Sequence, residues 1–173
     1  MDRPPFDLGD LTTERLRLTP LVPDDAEEMV EVLGDERLHE FIGGAPASLA
    51  ELQERYLRMV AGPGRADEVW CNWIVRRQGD DRPVGTVQAT LVRADGRWSA
   101  EVAWVIGVAA QGKGFASEAA LALVDGLRAQ DVDDVRANIH PDHAASAAVA
   151  RAAGLQPTDR TVDGEVVWEL PAT

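Results

Sequence analysis

The sequence predicts a mixed α/β fold on three observations. Apolar side chains alternate with polar ones over several short segments, as strands with one buried face require. Elsewhere they recur every three to four residues, as amphipathic helices require. The segments follow the order strand, helix, helix, three strands in series, helix, strand, helix, strand. Strands in series joined by short turns pair antiparallel, and a helix between two strands makes a crossover that pairs them parallel.

Each element has its own reason. Residues 14–19 read as a strand in which Leu16 and Leu18 alternate with Arg15 and Arg17. Residues 24–33 read as a helix: Asp24 and Glu27 have capping-box spacing, Ala26, Met29, Val30 and Leu33 form a stripe, and Gly34 ends it. Residues 48–59 form a second helix capped by Ser48 and Glu51, with Leu49, Leu52, Tyr56 and Met59 on one face. Gly62-Pro63-Gly64 is the clearest break. Three strands follow, at 69–75, 84–92 and 99–107, the last two joined by the turn Ala94-Asp95-Gly96-Arg97. In the third, Val102, Trp104 and Ile106 share one face, while Glu101, Ala103 and Val105 share the other. A helix over 112–129 presents Ala116, Ala120, Leu123, Val124 and Leu127. A short buried strand over 135–139, a helix over 141–153 stopped by Gly154, and a strand over 165–170 with Val166, Trp168 and Leu170 complete the chain.

Composition excludes several classes. The chain has 173 residues, enough for one domain, and 45% are hydrophobic, too many for a wholly disordered chain. One cysteine, Cys71, cannot build a disulfide framework. No apolar run approaches the roughly 18 residues that would cross a bilayer. Residues 1–13 hold acids and prolines and no apolar stretch, unlike a secretory leader. A cytoplasmic setting is expected. The net charge of −13 argues against a nucleic-acid or anionic-membrane partner. Residues 1–60 hold 6 basic and 14 acidic side chains, residues 61–116 hold 7 and 6, and residues 117–173 hold 4 and 10.

The most informative stretch is residues 105–118, VIGVAAQGKGFASE. A strand ends, a glycine-rich loop follows and a long helix begins. Free amides and the macrodipole make such a helix start attractive to an anion. Gly112 and Gly114 would let a phosphate approach the backbone, and Lys113 adds a charge. The same glycines would also suit a tight strand-to-helix turn with no ligand. Gly107 and Gly112-Lys113 have P-loop spacing, but Gly114 stands where that loop needs a Mg²⁺-binding hydroxyl. A dinucleotide fingerprint from Gly112 would need glycine where Ser117 stands.

Gln111-Gly112-Lys113-Gly114-Phe115-Ala116 resembles the acyl-CoA diphosphate loop of the GNAT acyltransferase superfamily, of form Q/R-x-x-G-x-G/A. The surroundings strengthen the resemblance: Ala100-Glu101 and Trp104 before the loop, and Ser117-Glu118-Ala119 after it. His140-Pro141-Asp142-His143-Ala144-Ala145-Ser146, followed by the 149–155 segment ending in Gly154-Leu155, is similar to the family's second motif. Thr13-Glu14-Arg15-Leu16-Arg17-Leu18 resembles the opening strand of the branch that holds ribosomal-protein alanine N-acetyltransferases. The likeness runs over about residues 12–170 of one domain and is firmest at 100–155.

The resemblance implies a twisted mixed sheet with flanking helices, splayed between the strands at 99–107 and 134–139, with acetyl-CoA entering the splay. It implies direct transfer of the acetyl group to an amine, with no metal. Gln111, Gly112, Lys113, Gly114, Phe115 and Ala116 would cradle the diphosphate. Ile106, Gly107 and Val108 would hold the pantetheine and offer an N–H to the thioester oxygen, worth ~3 kcal/mol for one such donor. Glu101 is the first candidate for the base, directly or through water, against the alternative of a solvated strand-face carboxylate; Glu165 and Glu169 follow. Ser146 matches a serine that some branches hold near the sulfur. His143 stands where the motif has an asparagine that binds pantetheine. The sole tyrosine, Tyr56, lies in the second helix and is not positioned as the acid that many relatives use.

The acceptor expected is a cationic amine: a protein N-terminus, a polyamine or an aminosugar. Glu36, Glu40, Asp67 and Glu68 are candidates for the mouth, and Phe41-Ile42-Gly43-Gly44 for a lid. A monomer or homodimer is expected. The alternative is a non-catalytic acyl-CoA-binding module of the same fold.

Overall fold

The protein is described by a computed structural model covering residue 6 and residues 8–172. Residues 1–5 and 7, part of the opening segment read above, lie outside the described residues. The strands are β1 (Leu11–Thr12), β2 (Leu16–Pro20), β3 (Glu68–Arg77), β4 (Pro83–Ala94), β5 (Arg97–Ile106), β6 (Asp134–Ile139), β7 (Gln156–Val162) and β8 (Glu165–Glu169). The helices are α1 (Ala26–Val32), α2 (His39–Ile42), α3 (Leu49–Ala61), α4 (Phe115–Arg128) and α5 (Ala144–Ala152). The strands form one mixed sheet in the order β1-β2-β3-β4-β5-β6-β8-β7. Only β5 and β6 pair parallel among the described residues, as the α4 crossover requires.

That parallel pair is short. Ser99, Ala100 and Glu101 pair with Asp134, Val135 and Arg136. Beyond them β5 continues to Ile106 while β6 turns to β8, pairing Ala137 with Trp168 and Ile139 with Val166. The sheet therefore opens between β5 and β6, as the resemblance implied.

Apolar burial explains the two faces. On one, Leu16, Leu18, Val75, Val87, Leu91 and Val102 pack under Leu123, Val124 and Leu127 of α4 and Val149 and Ala150 of α5. On the other, Ile74 packs with Met29 of α1 and Leu52 and Tyr56 of α3. Cys71 packs against the first of these cores, as its alternation with Trp73 suggests.

Several boundaries differ from the sequence reading. β7 has no period-two pattern, because nearly all its residues are exposed; its pairing with β8 holds it at the sheet edge. The helix after the glycine loop starts at Phe115 rather than at residue 112, because Gly114 has φ 81° and sits outside the helix as its cap. The capping box expected of Asp24 and Glu27 is not the one used. Asp25 accepts the Val22 N–H at 2.8 Å instead, across a 3₁₀ turn.

Asp25 has a second role. Asp25 and Arg76 are each only 8% exposed. Their side chains meet at 2.9 Å, and Arg76 also donates to Glu28 at 3.2 Å and to the Asp81 carbonyl at 3.2 Å. Removing one partner of a buried pair leaves the other charge desolvated, costing about 3–5 kcal/mol. Asp25→Ala is expected near the lower end of that range, since Glu28 still reaches Arg76. Urea unfolding measures it, and a loss under about 1 kcal/mol would contradict the account.

Candidate functional site

The site is built on the unpaired edge of β5. The Gly107 N–H donates to the Val84 carbonyl at 2.8 Å. Along an antiparallel ladder the bonded residues alternate. With Gly85 opposite Ile106 and Thr86 opposite Val105, the backbone groups of Glu101, Ala103 and Val105 point at β4. Those of Val102, Trp104 and Ile106 point the other way, where β6 has diverged. The amides of Trp104 and Ile106 therefore face the opening, while Gly107 is committed to β4 and cannot be the donor to a thioester oxygen. Gly107 is glycine for another reason: a Cβ there would lie 2.9 Å from the Val32 side chain.

After β5, residues 108–110 make a 3₁₀ turn and Gln111 donates its side-chain N–H to the Ile106 carbonyl at 2.9 Å. This ties the loop to the strand end, so the Gln111 amide group braces the cradle rather than reaching for a phosphate. Gly112 and Gly114 have φ of 77° and 81°, where a side chain is strained. The first helical bond of α4 runs from the Glu118 N–H to the Gly114 carbonyl at 3.1 Å. The amides of Phe115, Ala116 and Ser117 precede it and have no partner within the helix.

These groups border a cavity of about 710 Å³ between β5, the start of α4 and α5. Its walls include Ile106, Val108, Gln111, Gly112, Gly114, Phe115, Ala116, Ser117, His143 and Ser146. Gly107 and Lys113 are not among them; Lys113 borders an open shelf on the outer side of the loop with Arg15 and Arg77. The end of α4 is thus unplugged and faces the gap in the sheet. A diphosphate fits this wall, which offers backbone donors, the positive end of a 14-residue helix and no carboxylate from the loop itself.

A second cavity of about 380 Å³ lies on the Glu101 face of the sheet. Thr86, Gln88, Glu101, Asn138, His140 and Glu165 line it, with Phe41 and Ile42 at one side. Phe41, Ile42, Trp104, Val105, His143 and Ser146 border both cavities, so the two meet there. Ser146 of α5 lies at this junction, and Glu101 of β5 lines the smaller cavity beside it. Arg136 lies beside Glu101 in register. Its guanidinium is held above the usual value, first by the Asp134 hydrogen bond and further by the Glu169 and Glu101 carboxylates.

His143 caps α5. Its Nδ1 accepts the Ser146 N–H at 3.4 Å, which leaves the Nε2 proton free to donate. Burial, then the neighbouring His140, push its pKa below the ordinary value, so the ring is neutral at pH 7. Phe41 stacks on it at 4.1 Å and meets His140 edge-on at 5.6 Å. Of the segment read as a lid, Phe41 and Ile42 end α2, Gly43 and Gly44 follow it, and Phe41 rests on two histidines.

Other expectations fare differently. Of the four acids proposed for the mouth, Glu40 borders the larger cavity. Glu68 pairs beside Val92, six residues along β4 from Thr86 and so roughly 20 Å away. It and Asp67 face Arg65 instead. Glu165 borders the smaller cavity, whereas Glu169 pairs with Arg160. Tyr56 is buried in the α1–α3 core, its pKa pushed up to about 12 by desolvation and by Asp25. Sequence reasoning missed Thr86, Gln88 and Asn138, whose strand positions carry no motif.

Among the described residues no group of three metal-ligating side chains converges, and no helix is long and apolar enough to cross a membrane. Solved structures share the fold. The ribosomal alpha-N-protein acetyltransferase RimL, in complex with coenzyme A, superposes with a TM-score of 0.76 at 16% identity over 92% of this chain and 96% of its own. AAC(6')-Ib in complex with paromomycin and acetyl-CoA gives 0.72 at 21% over 90% and 92%. An acetyltransferase from Agrobacterium tumefaciens gives 0.71 at 22% over 96% of both chains. No curated protein matches the sequence. The model of the acetyltransferase (GNAT) domain matches residues 15–156, and the chain belongs to the GNAT acetyltransferase family.

Proposed function

We propose that the protein is an N-acetyltransferase that moves an acetyl group from acetyl-CoA to a primary amine by direct attack. The observation that carries this reading is the junction of two cavities, one bordered by free helix-start amides and the other by Glu101. Acetyl-CoA supplies the activated acyl carbon. The amides of Gly114, Phe115, Ala116 and Ser117 bind its diphosphate. The N–H groups of Trp104 and Ile106 hold the pantetheine arm along β5 and stabilise charge on the thioester oxygen.

Glu101 takes the proton that an ammonium must lose before its nitrogen can attack. Ser146 and the Nε2 proton of His143 border the same junction and can donate to the departing sulfur. Glu101 and Glu165 face the smaller cavity, which no lysine or arginine lines among the described residues. That favours a cationic acceptor, a protein N-terminus or a small amine. One cysteine suits a reducing cytoplasm.

The test is release of free thiol from acetyl-CoA, read with a thiol reagent across a library of amines and N-terminal peptides. Amine-dependent release is expected. Tight CoA binding with no release across the library would favour a non-catalytic acyl-CoA-binding module.

A further inference from the structure

We infer that Arg15, which lies outside both cavities, is a positioning residue for the cofactor loop. Its guanidinium donates to the Lys113 carbonyl at 2.8 Å and to Glu118 of α4 at 2.8 Å. It lies 4.7 Å over the Phe115 ring, and its own backbone N–H reaches Glu118 at 3.1 Å. Thr13 donates its hydroxyl to the same carboxylate oxygen. The bend before β2 is thus clamped to the first turns of α4 through one carboxylate and one carbonyl.

The Lys113 carbonyl matters because of what shares its peptide plane. A trans peptide points its C=O and N–H in opposite directions. Arg15 holds the Lys113 oxygen on the outer side, so the Gly114 N–H of that plane is directed inward, at the cavity that Gly114 lines. A flip of this plane turns ψ of Lys113 and φ of Gly114, and glycine accepts either sign of φ, so the peptide is cheap to flip; flipping would turn a carbonyl toward the diphosphate. Glu118 would also oppose the anion. Desolvation resists its ionisation, but Thr13 and Arg15 together hold its carboxyl below the ordinary value. It is therefore charged, and Arg15 neutralises it.

The inference rests on the reading of the α4 cavity as a diphosphate site, and the test separates the two. Affinities of wild type and Arg15→Ala are measured by calorimetry for CoA, for dephospho-CoA, which keeps the diphosphate, and for pantetheine, which lacks it. The variant is expected to lose about tenfold or more for CoA and dephospho-CoA alike, and nothing for pantetheine. Unchanged CoA affinity overturns the inference. So does a loss confined to CoA, which would make Arg15 a direct ligand of the 3′-phosphate. An equal loss for all three means general damage and overturns it too. If wild type binds CoA no better than pantetheine, the diphosphate reading itself fails. Should Arg15→Ala not fold, Thr13→Val removes the other support of Glu118. It is expected to give a smaller loss with the same selectivity, and no loss would overturn the inference.

Discussion

Glu101→Gln is expected to lower turnover by roughly 10²–10⁴, the usual worth of a positioned general base, with little change in affinity for CoA. Glu101 lines the smaller cavity, away from the glycine loop at the start of α4. Glutamine keeps the size and a hydrogen-bonding oxygen but cannot take a proton at neutral pH. The variant then depends on amine already deprotonated in solution. Below the pKa of the acceptor, about 10 for a lysine-like amine, its rate should rise close to tenfold per pH unit. The wild-type profile should be flatter. Steady-state kinetics on an acceptor from the library screen measure both. A fall under about threefold would move the role to Glu165, the other carboxylate in the cavity.

Gly114→Val is expected to weaken CoA binding about tenfold or more while the sheet remains folded. At φ 81° a β-branched side chain is strained by about 1–3 kcal/mol. The new Cβ would also lie 3.3 Å from the Arg15 guanidinium, disturbing the clamp on the Lys113 peptide. Gly112→Ala separates the two effects. Its φ is 77°, but a Cβ there has nothing within 4 Å, so it carries strain without the clash and should cost less affinity. Thermal shift with and without CoA checks both. A full CoA-induced stabilisation in Gly114→Val would contradict the placement of the diphosphate.

Much of the fold was legible because its segments obey clear periods. β5 alternates Val102, Trp104 and Ile106 with Glu101, Ala103 and Val105, and that alternation alone assigns Glu101 to the face opposite the α4 core. The glycine loop was legible because left-handed backbone and free amides leave a mark in residue type. β7 was not, since an exposed edge strand needs no apolar face. Nor were the partners of Arg15 and Asp25, which come from elements distant in sequence: Glu118 is 103 residues from Arg15, and Arg76 is 51 from Asp25. Gln111 and Gly107 read as cofactor-binding residues in the sequence, but the bonds they make were not legible there. Their bonds to Ile106 and Val84 depend on how the loop folds back on the sheet, which a spacing pattern does not encode.

Amide chemical shifts of ¹⁵N-labelled protein titrated with CoA read the cradle directly. The largest changes are predicted at Gly112, Gly114, Phe115, Ala116 and Ser117, and pantetheine should leave those five nearly unmoved. Saturable binding that shifts other amides and spares these would mean that the start of α4 does not hold the diphosphate.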